Sequence, residues 1–129
     1  MENITKVAVV GSRGFEDYVL FKTVMDKFLA DFESVAFVSG GASGADSLAE
    51  RYAKEHGIEV IVFKPEWKRY GKRAGYMRNA QIWKEADVGI AFWDGESKGT
   101  RHSFKLAKKM SKELRVFDYL KRMFIDPDA

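Results

Sequence analysis

The chain has 129 residues, 46% of them hydrophobic, carries a formal net charge of +3 and contains no cysteine. These values are typical of one globular domain with a single core. They exclude disulfide bonds and thiolate chemistry. Two histidines without a cysteine do not make a zinc site, and we predict no metal and no cofactor. We find no signal peptide and no apolar run of about 18 residues, and we therefore expect a cytoplasmic protein that makes no contact with membranes.

The predicted elements alternate between strand-like and helix-like apolar spacing along the chain. Strands are predicted at residues 4–10, 35–39, 58–63, 88–93 and 114–117, and helices at 17–32, 44–56, 74–85 and about 100–111. Strictly alternating strands and helices predict an α/β fold, in which helices cover both faces of a mainly parallel five-stranded sheet. We expect a single domain over residues 1–129, with residues 118–129 as a C-terminal tail that forms a short docked helix or a subunit contact.

Three polar, glycine-containing loops follow predicted strands, at residues 11–14, 40–46 and 94–100. In a parallel sheet such loops meet at one edge, where ligands bind. The loops at 40–46 and 94–100 also open helices, whose first N–H groups are unpaired and carry partial positive charge. Glycines there admit a phosphate close to the backbone, although they also serve simple strand-to-helix turns. The two helix starts predict sites for one diphosphate or for two separate phosphates.

The positive charge is concentrated in residues 64–78, which hold six lysines and arginines and one acidic residue, Glu66. A local excess of this kind indicates an anionic ligand or partner. Arginine pairs with phosphate and aromatic rings stack on bases, so at least one of Arg73, Arg78 and Asn79 is predicted to contact the ligand. The alternative is an exposed basic loop whose aromatic residues fold into the core.

Three carboxylates are candidates for chemistry at this edge of the sheet. Asp46 lies in the first turn of a helix, where it either complements the helix dipole or binds a ribose hydroxyl pair. Glu50 is a catalytic carboxylate or a solvated helix residue, and Asp94 binds a ribose, a base edge or a cation, or simply starts a turn. Thr100 either caps its helix or donates to a phosphate. No spacing indicates a Ser/His/Asp triad around His102 and Ser103.

Four ordered motifs resemble the YspA-like branch of the SLOG superfamily, which is related to the DNA-processing protein DprA and to LOG-type lysine-decarboxylase-like proteins. They are Gly11-Ser12-Arg13-Gly14-Phe15, Gly40-Gly41-Ala42-Ser43-Gly44-Ala45-Asp46, Pro65-Glu66-Trp67 to Arg78-Asn79, and Phe92-Trp93-Asp94-Gly95 to Gly99-Thr100. The resemblance covers roughly residues 5–117. It implies a Rossmann-like three-layer sandwich that binds nucleotides or nucleotide-derived ligands, such as ADP-ribose or a cyclic nucleotide.

The resemblance also implies the positions of the ligand contacts. Together with the residues argued above, the predicted ligand-binding set is Gly11, Ser12, Arg13, Gly40, Gly41, Gly44, Asp46, Arg73, Arg78, Asn79, Asp94, Gly99 and Thr100. The candidate catalytic residues are Asp46, Glu50 and Asp94. LOG-type enzymes have the pattern Pro-Gly-Gly-x-Gly-Thr-x-x-Glu at the fourth helix, and its glutamate serves catalysis. In this sequence, Ser103 stands at the position of that glutamate. Serine does not stabilise an oxocarbenium-like centre as a carboxylate does.

The sequence therefore favours a module that senses, sequesters or delivers a nucleotide-derived small molecule, and does not favour an enzyme. The alternative is a hydrolase that cleaves an N-glycosidic or phosphate bond of a nucleotide-derived substrate. A third hypothesis, single-stranded nucleic-acid binding as in DprA, ranks lower because one basic loop offers a small footprint. A homodimer or higher homo-oligomer is also expected.

Overall fold

In a computed structural model, residues 4–127 of the chain are described, and they build one six-stranded sheet with the order β3-β2-β1-β4-β5-β6. The strands are β1 (Thr5–Gly11), β2 (Val35–Ser39), β3 (Val60–Val62), β4 (Val88–Trp93), β5 (Glu113–Asp118) and β6 (Met123–Ile125). Strands β1 to β5 pair in parallel, and β6 pairs antiparallel with β5. The α/β class and the five parallel strands are confirmed, and the sheet has one strand more than the sequence predicted.

The sixth strand overturns one of the two alternatives predicted for the tail, the short docked helix, over the described residues 118–127. The subunit contact stays a prediction. The Asp118 carboxylate accepts hydrogen bonds from the N–H groups of Leu120 (3.0 Å) and Lys121 (2.9 Å). Arg122 follows with a left-handed backbone (φ 57°). These features turn the chain back along β5, where Phe124 packs edge-on against Phe117 at 5.2 Å between ring centres. The helix prediction was wrong because the side chain of Asp118 acts as a turn acceptor.

Helices cover both faces of the sheet, and they are α1 (Tyr18–Leu29), α2 (Ala45–His56), α3 (Trp67–Tyr70), α4 (Ala74–Glu85) and α5 (Lys98–Lys109), with a 3₁₀ turn at Gly71–Arg73. Side chains along a strand point alternately to the two faces. Val7 and Val9 therefore join the core beneath α1 and α2, while Ala8 and Val10 join the core beneath α4 and α5. The three-layer arrangement predicted by the resemblance is confirmed.

Local sequence explains where the long helices begin and end. Asp17 caps α1 by accepting the N–H of Leu20 at 3.0 Å, and Gly57 ends α2 with φ 66°. Gly89 in β4 leaves room for the buried Trp83 ring, which a Cβ at that position would approach to 2.3 Å. None of the helices within residues 4–127 is long and apolar enough to span a bilayer.

The centre of the sheet positions the candidate site. From β1 the chain proceeds to β2 and β3 on one side, and β4 and β5 lie on the other side. The loops after β1 and β4 therefore diverge at the carboxyl ends of two neighbouring strands. A crevice opens at such a reversal of strand order, and in open α/β sheets it is the usual ligand site.

Candidate functional site

A cleft of about 430 Å³ lies at the carboxyl ends of β1 and β4, and we call it the switch-point cleft. Its walls come from the loop after β1, the start of α2, the middle of α4 and the start of α5. The sequence-predicted residues that line it are Gly11, Ser12, Arg13, Asp46, Arg78, Asn79, Asp94, Gly99 and Thr100. The structure thus brings together parts of all four motifs, which are far apart in the sequence.

The remaining predicted residues lie outside this cleft. Gly40 and Gly41 line a neighbouring cleft of about 560 Å³. Gly44 is buried behind the loop that follows β1 and lines neither cleft. Glu50 and Arg73 are exposed and also line neither of them. Glu50 still lies close enough to raise the pKa of Asp46 slightly.

Gly44 allows the first two loops to pack directly against each other. An added Cβ at Gly44, whose φ is +76°, would lie 2.4 Å from the backbone of Ser12 and Arg13. The next residue, Ala45, donates its N–H to the Ser12 carbonyl at 3.2 Å. The Ser12 N–H in turn reaches the Phe92 carbonyl of β4 at 2.9 Å. A left-handed glycine is therefore needed here for loop packing.

Arg78 is the cation at the centre of the site. It is buried, and its Nη1 donates to the Gly40 carbonyl at 2.9 Å. Its Nε donates to Asn79 Oδ1, also at 2.9 Å. Burial lowers the pKa of Arg78 from its ordinary value, and the nearby Asp46 carboxylate opposes that shift. Because guanidinium pKa values are so high, the group stays charged.

A second layer holds Arg78 in place through Asn79 and His102. The Asn79 Nδ2 group donates to His102 Nδ1 at 3.2 Å, and the His102 ring meets Tyr76 edge-on at 4.6 Å. Burial, followed by the charge of Lys105, lowers the pKa of His102, which keeps the imidazole neutral and able to accept. No sequence pattern indicated this support, because it joins residues on two different helices.

Asp46 organises the loop before α2. Its Oδ2 accepts the Ala42 N–H at 3.1 Å, and the side chain is almost completely buried. Burial raises the pKa of Asp46 to about 6, although the Ala42 hydrogen bond and the Arg78 charge both act to lower it. The carboxylate is thus ionised at neutral pH and becomes protonated in mildly acidic solution.

Replacing Asp46 with asparagine is expected to flatten part of the pH dependence of stability. The pKa of Asp46 is 3.8 in its ordinary state and about 6 in the folded chain. The folded state therefore binds the proton more tightly, and ionisation favours unfolding as the pH rises through this range. Between about pH 4 and pH 7, the unfolding free energy of Asp46→Asn should rise relative to wild type by about 1–3 kcal/mol.

The measurement is urea denaturation of both proteins at several pH values across that window. Asparagine keeps one oxygen that can accept the Ala42 N–H, and any loss of the weaker Gly40 contribution should add a stability difference that does not vary with pH. A stability difference that is constant with pH would contradict the raised pKa of Asp46.

The start of α5 overturns one of the two alternatives predicted for Thr100, that it caps the helix, and its contact with a phosphate stays a prediction. Helix α5 begins at Lys98, and Ser97 is its cap residue, accepting the Thr100 N–H at 3.4 Å. The Thr100 hydroxyl donates to Ser97 Oγ at 3.1 Å. Asp94 Oδ1 accepts the N–H groups of Glu96 and Ser97, each at 2.8 Å. Because the Asp94 carboxylate turns the chain here, α5 begins at Lys98, two residues earlier than predicted, and Ser97 is its cap.

Asp94 and Asp46, on different walls of the cleft, have pKa values shifted in opposite directions. Burial raises the pKa of Asp94, but its backbone hydrogen bonds from Ser97 and Glu96 outweigh that effect and the net pKa is lowered. The Ser12 hydroxyl contributes weakly in the same direction, although it makes no hydrogen bond within normal distance and angle limits. The lowered pKa means that the Asp94 carboxylate is ionised at neutral pH.

Ser12 is an unsatisfied group at the floor of the cleft. Its side chain is 2% exposed, and among the described residues its Oγ has no hydrogen-bond partner. A buried hydroxyl without a partner is unfavourable. Ser103 is also buried and lines the cleft, at the position where the LOG-type pattern has glutamate.

The fold and the cleft define a Rossmann-like α/β protein with a polar cleft at the topological switch point. The family model of the YspA, cpYpsA-related SLOG family matches residues 5–70. The gene 61 protein of Mycobacterium phage D29 is 34% identical over 111 residues, which cover 81% of this chain and 89% of that relative. The chain belongs to the YspA, cpYpsA-related SLOG family, as the four motifs predicted.

A solved structure supports the wider relationship. DNA processing protein A from Helicobacter pylori matches with a TM-score of 0.68 and 25% identity, over 88% of this chain. The match covers 65% of that protein's chain, so this chain spans less than two thirds of its length. The solved structure concerns the single-stranded DNA binding mode of the H. pylori protein.

Proposed function

We propose that the chain binds a nucleotide or a nucleotide-derived phosphorylated ligand in the switch-point cleft, as a sensing, sequestering or delivery module. The phosphate accepts hydrogen bonds from Ser12 Oγ and from the free N–H groups at the start of α5. The Arg78 guanidinium neutralises its charge. The sugar hydroxyls face Asp46 and Asp94, because carboxylates repel a phosphate but accept hydrogen bonds from hydroxyls.

The observation that carries this proposal is the unpartnered, buried hydroxyl of Ser12. It lines a cleft that also contains a helix N-terminus and a buried arginine. The hydroxyl and the first N–H groups of α5 lack a hydrogen-bond acceptor, which a phosphate oxygen supplies. The guanidinium already has Asp46 nearby, and a phosphate adds a second negative charge beside it. One anion satisfies all of them together.

Replacing Ser12 with alanine is expected to weaken ligand binding without weakening the fold. Loss of one hydrogen bond to a charged group lowers affinity by about 10- to 100-fold. The free protein loses an unsatisfied hydroxyl, so its unfolding free energy should stay equal or rise by about 1 kcal/mol. Isothermal titration calorimetry against nucleoside monophosphates, ADP-ribose, NAD and cyclic nucleotides, combined with urea denaturation, measures both quantities.

Ser34→Ala is the matched control, since Ser34 precedes β2 at the opposite edge of the sheet. It should leave affinity unchanged. If Ser12→Ala bound the tightest compound of the panel as well as wild type does, the phosphate position would be wrong. If wild type bound no compound of the panel, the proposal would fail for all of them.

Single-stranded nucleic acid is the second candidate ligand, and the DprA-like neighbour favours it. The H. pylori protein is described by its single-stranded DNA binding mode, and residues 64–78 of this chain supply cations and aromatic rings. Electrophoretic mobility shifts of a short single strand, repeated at rising salt, test it. Binding that falls steeply with salt is the expected result, and no shift at low salt would contradict it.

A hydrolase remains the alternative for the same cleft because the pKa of Asp46 is raised and the pKa of Asp94 is lowered. Such pairs supply one proton donor and one ionised carboxylate. In that reaction, water adds across the N-glycosidic bond and releases a free base and a ribose phosphate. Chromatography after long incubation with nucleoside monophosphates tests it, and release that is lost in Asp46→Asn and Asp94→Asn is the expected result. An unchanged chromatogram would contradict it.

A further inference from the structure

A second cleft, which we call the Trp67 cleft, adjoins the switch-point cleft. It has a volume of about 560 Å³ and lies between the loop after β2 and the segment after β3. The two clefts share three lining residues, Arg13, Ala42 and Arg78. Because they share a wall, a ligand longer than one nucleotide can occupy both of them.

The charge of the Trp67 cleft differs from that of its neighbour. Its lining contains three cations, Arg13, Lys64 and Arg78, and no carboxylate. The switch-point cleft, in contrast, contains Asp46 and Asp94 as well as two arginines. Glu66 follows Lys64 closely in the chain but lines a different depression, on the other side of Lys64. The Trp67 cleft therefore favours a negatively charged group such as a phosphate.

Trp67 provides an apolar ring beside these cations. It is 50% exposed, and one edge of its indole lies over Gly75 of α4, where an added Cβ would be 3.4 Å away. Half-exposed tryptophan beside lysine and arginine is the combination that holds bases of single-stranded nucleic acids by stacking, while the cations hold the phosphates. Gly41 keeps the opposite wall free of a side chain.

From this arrangement we infer that the Trp67 cleft binds a second nucleotide unit, joined by a phosphodiester to the nucleotide in the switch-point cleft. The linking phosphate lies between Arg13 and Arg78, and the second base stacks on Trp67. This inference rests on the proposed function and extends the ligand class from a mononucleotide to a dinucleotide or the end of a single strand.

The test compares AMP with the 5′-phosphorylated dinucleotide pApA by calorimetry. Wild type should bind pApA about tenfold or more tightly than AMP, since stacking and one further phosphate contact are added. Trp67→Ala and Lys64→Ala should each reduce the affinity for pApA by about fivefold or more. Neither change should alter the affinity for AMP. Leu120→Ala and Lys112→Ala, at two positions that line neither cleft, should affect neither ligand.

The outcomes separate the two proposals. Equal affinity of wild type for AMP and pApA would overturn the second unit and leave the proposed function intact. The same conclusion follows if Trp67→Ala weakens both ligands equally. If neither ligand binds, both proposals fail for adenine nucleotides. A third titration uses a short single strand of deoxyadenylate: tighter binding than pApA identifies a strand as the source of the second unit, and weaker binding identifies a free dinucleotide.

Discussion

Replacing Arg78 with alanine is expected to weaken nucleotide binding by about 100-fold or more, because a charged hydrogen-bond donor to phosphate is lost. The same change leaves the Gly40 carbonyl without its donor at 2.9 Å. It also removes the positive charge that counteracts the effect of burial on the pKa of Asp46. The free energy of unfolding should therefore fall by about 1–3 kcal/mol. Calorimetry and urea denaturation of the same preparation measure the two effects.

Two further variants make this result specific. Arg51→Ala removes the same charge from the outer surface of α2, where Arg51 pairs with Glu55 at 3.4 Å, and exposed pairs of this kind contribute little. It should leave binding unchanged. Arg78→Lys keeps the charge but not the planar fork, and its affinity should fall between those of wild type and alanine. If folded Arg78→Ala bound nucleotides as tightly as wild type, Arg78 would have no ligand role.

Replacing Gly44 with alanine is expected to destabilise the protein by about 2–4 kcal/mol. The added methyl group makes the left-handed backbone unfavourable, and it also overpacks the contact with the loop after β1. The new Cβ would lie 2.4 Å from backbone atoms of Ser12 and Arg13. These atoms cannot give way as a flexible side chain can, so the loop after β1 must move. Because Ser12 moves with it, nucleotide binding should be lost as well. Denaturation and calorimetry report the two losses.

Gly14→Ala is the control for stability. A Cβ at Gly14 would meet no atom within 4 Å, and its φ lies outside the left-handed region. Its effect should stay within about 0.5 kcal/mol. Similar destabilisation by Gly44→Ala and Gly14→Ala would show that the close packing between the two loops is unimportant.

Much of the fold could be predicted because it depends on patterns that are local in the sequence. The continuous apolar runs of β1 and β4 reflect burial on both faces of the sheet, and the helical apolar stripes reflect one buried face. The β6 strand carried no such signal. It is three residues long, and Met123 and Phe124 are largely exposed, so its formation depends on the turn at Asp118 and on an available edge of β5.

The candidate site was predictable only to the level of its loops. The glycine-containing loops had to meet because they follow parallel strands. The contacts between them depend on tertiary distances that no spacing encodes. Arg78 reaches the Gly40 carbonyl across 38 residues, and Asn79 meets His102 across 23. The role of Gly44 likewise depends on what lies opposite it. The glycine pattern indicates a turn, but only the fold shows the Ser12 and Arg13 backbone against it.

The most direct test of the proposed site is a nucleotide titration followed by two-dimensional ¹H–¹⁵N NMR, which suits a chain of 14.7 kDa. On addition of the tightest-binding nucleotide, the amide signals of Ser12, Ala42, Asp46 and Gly99 should shift together with one saturation curve. Signals around Phe28, which lies with Val88 and Glu113 at the amino end of the sheet, should stay in place. Shifts confined to residues outside the switch-point cleft would contradict nucleotide binding in that cleft. The absence of any shift with every nucleotide of the panel would contradict it as well.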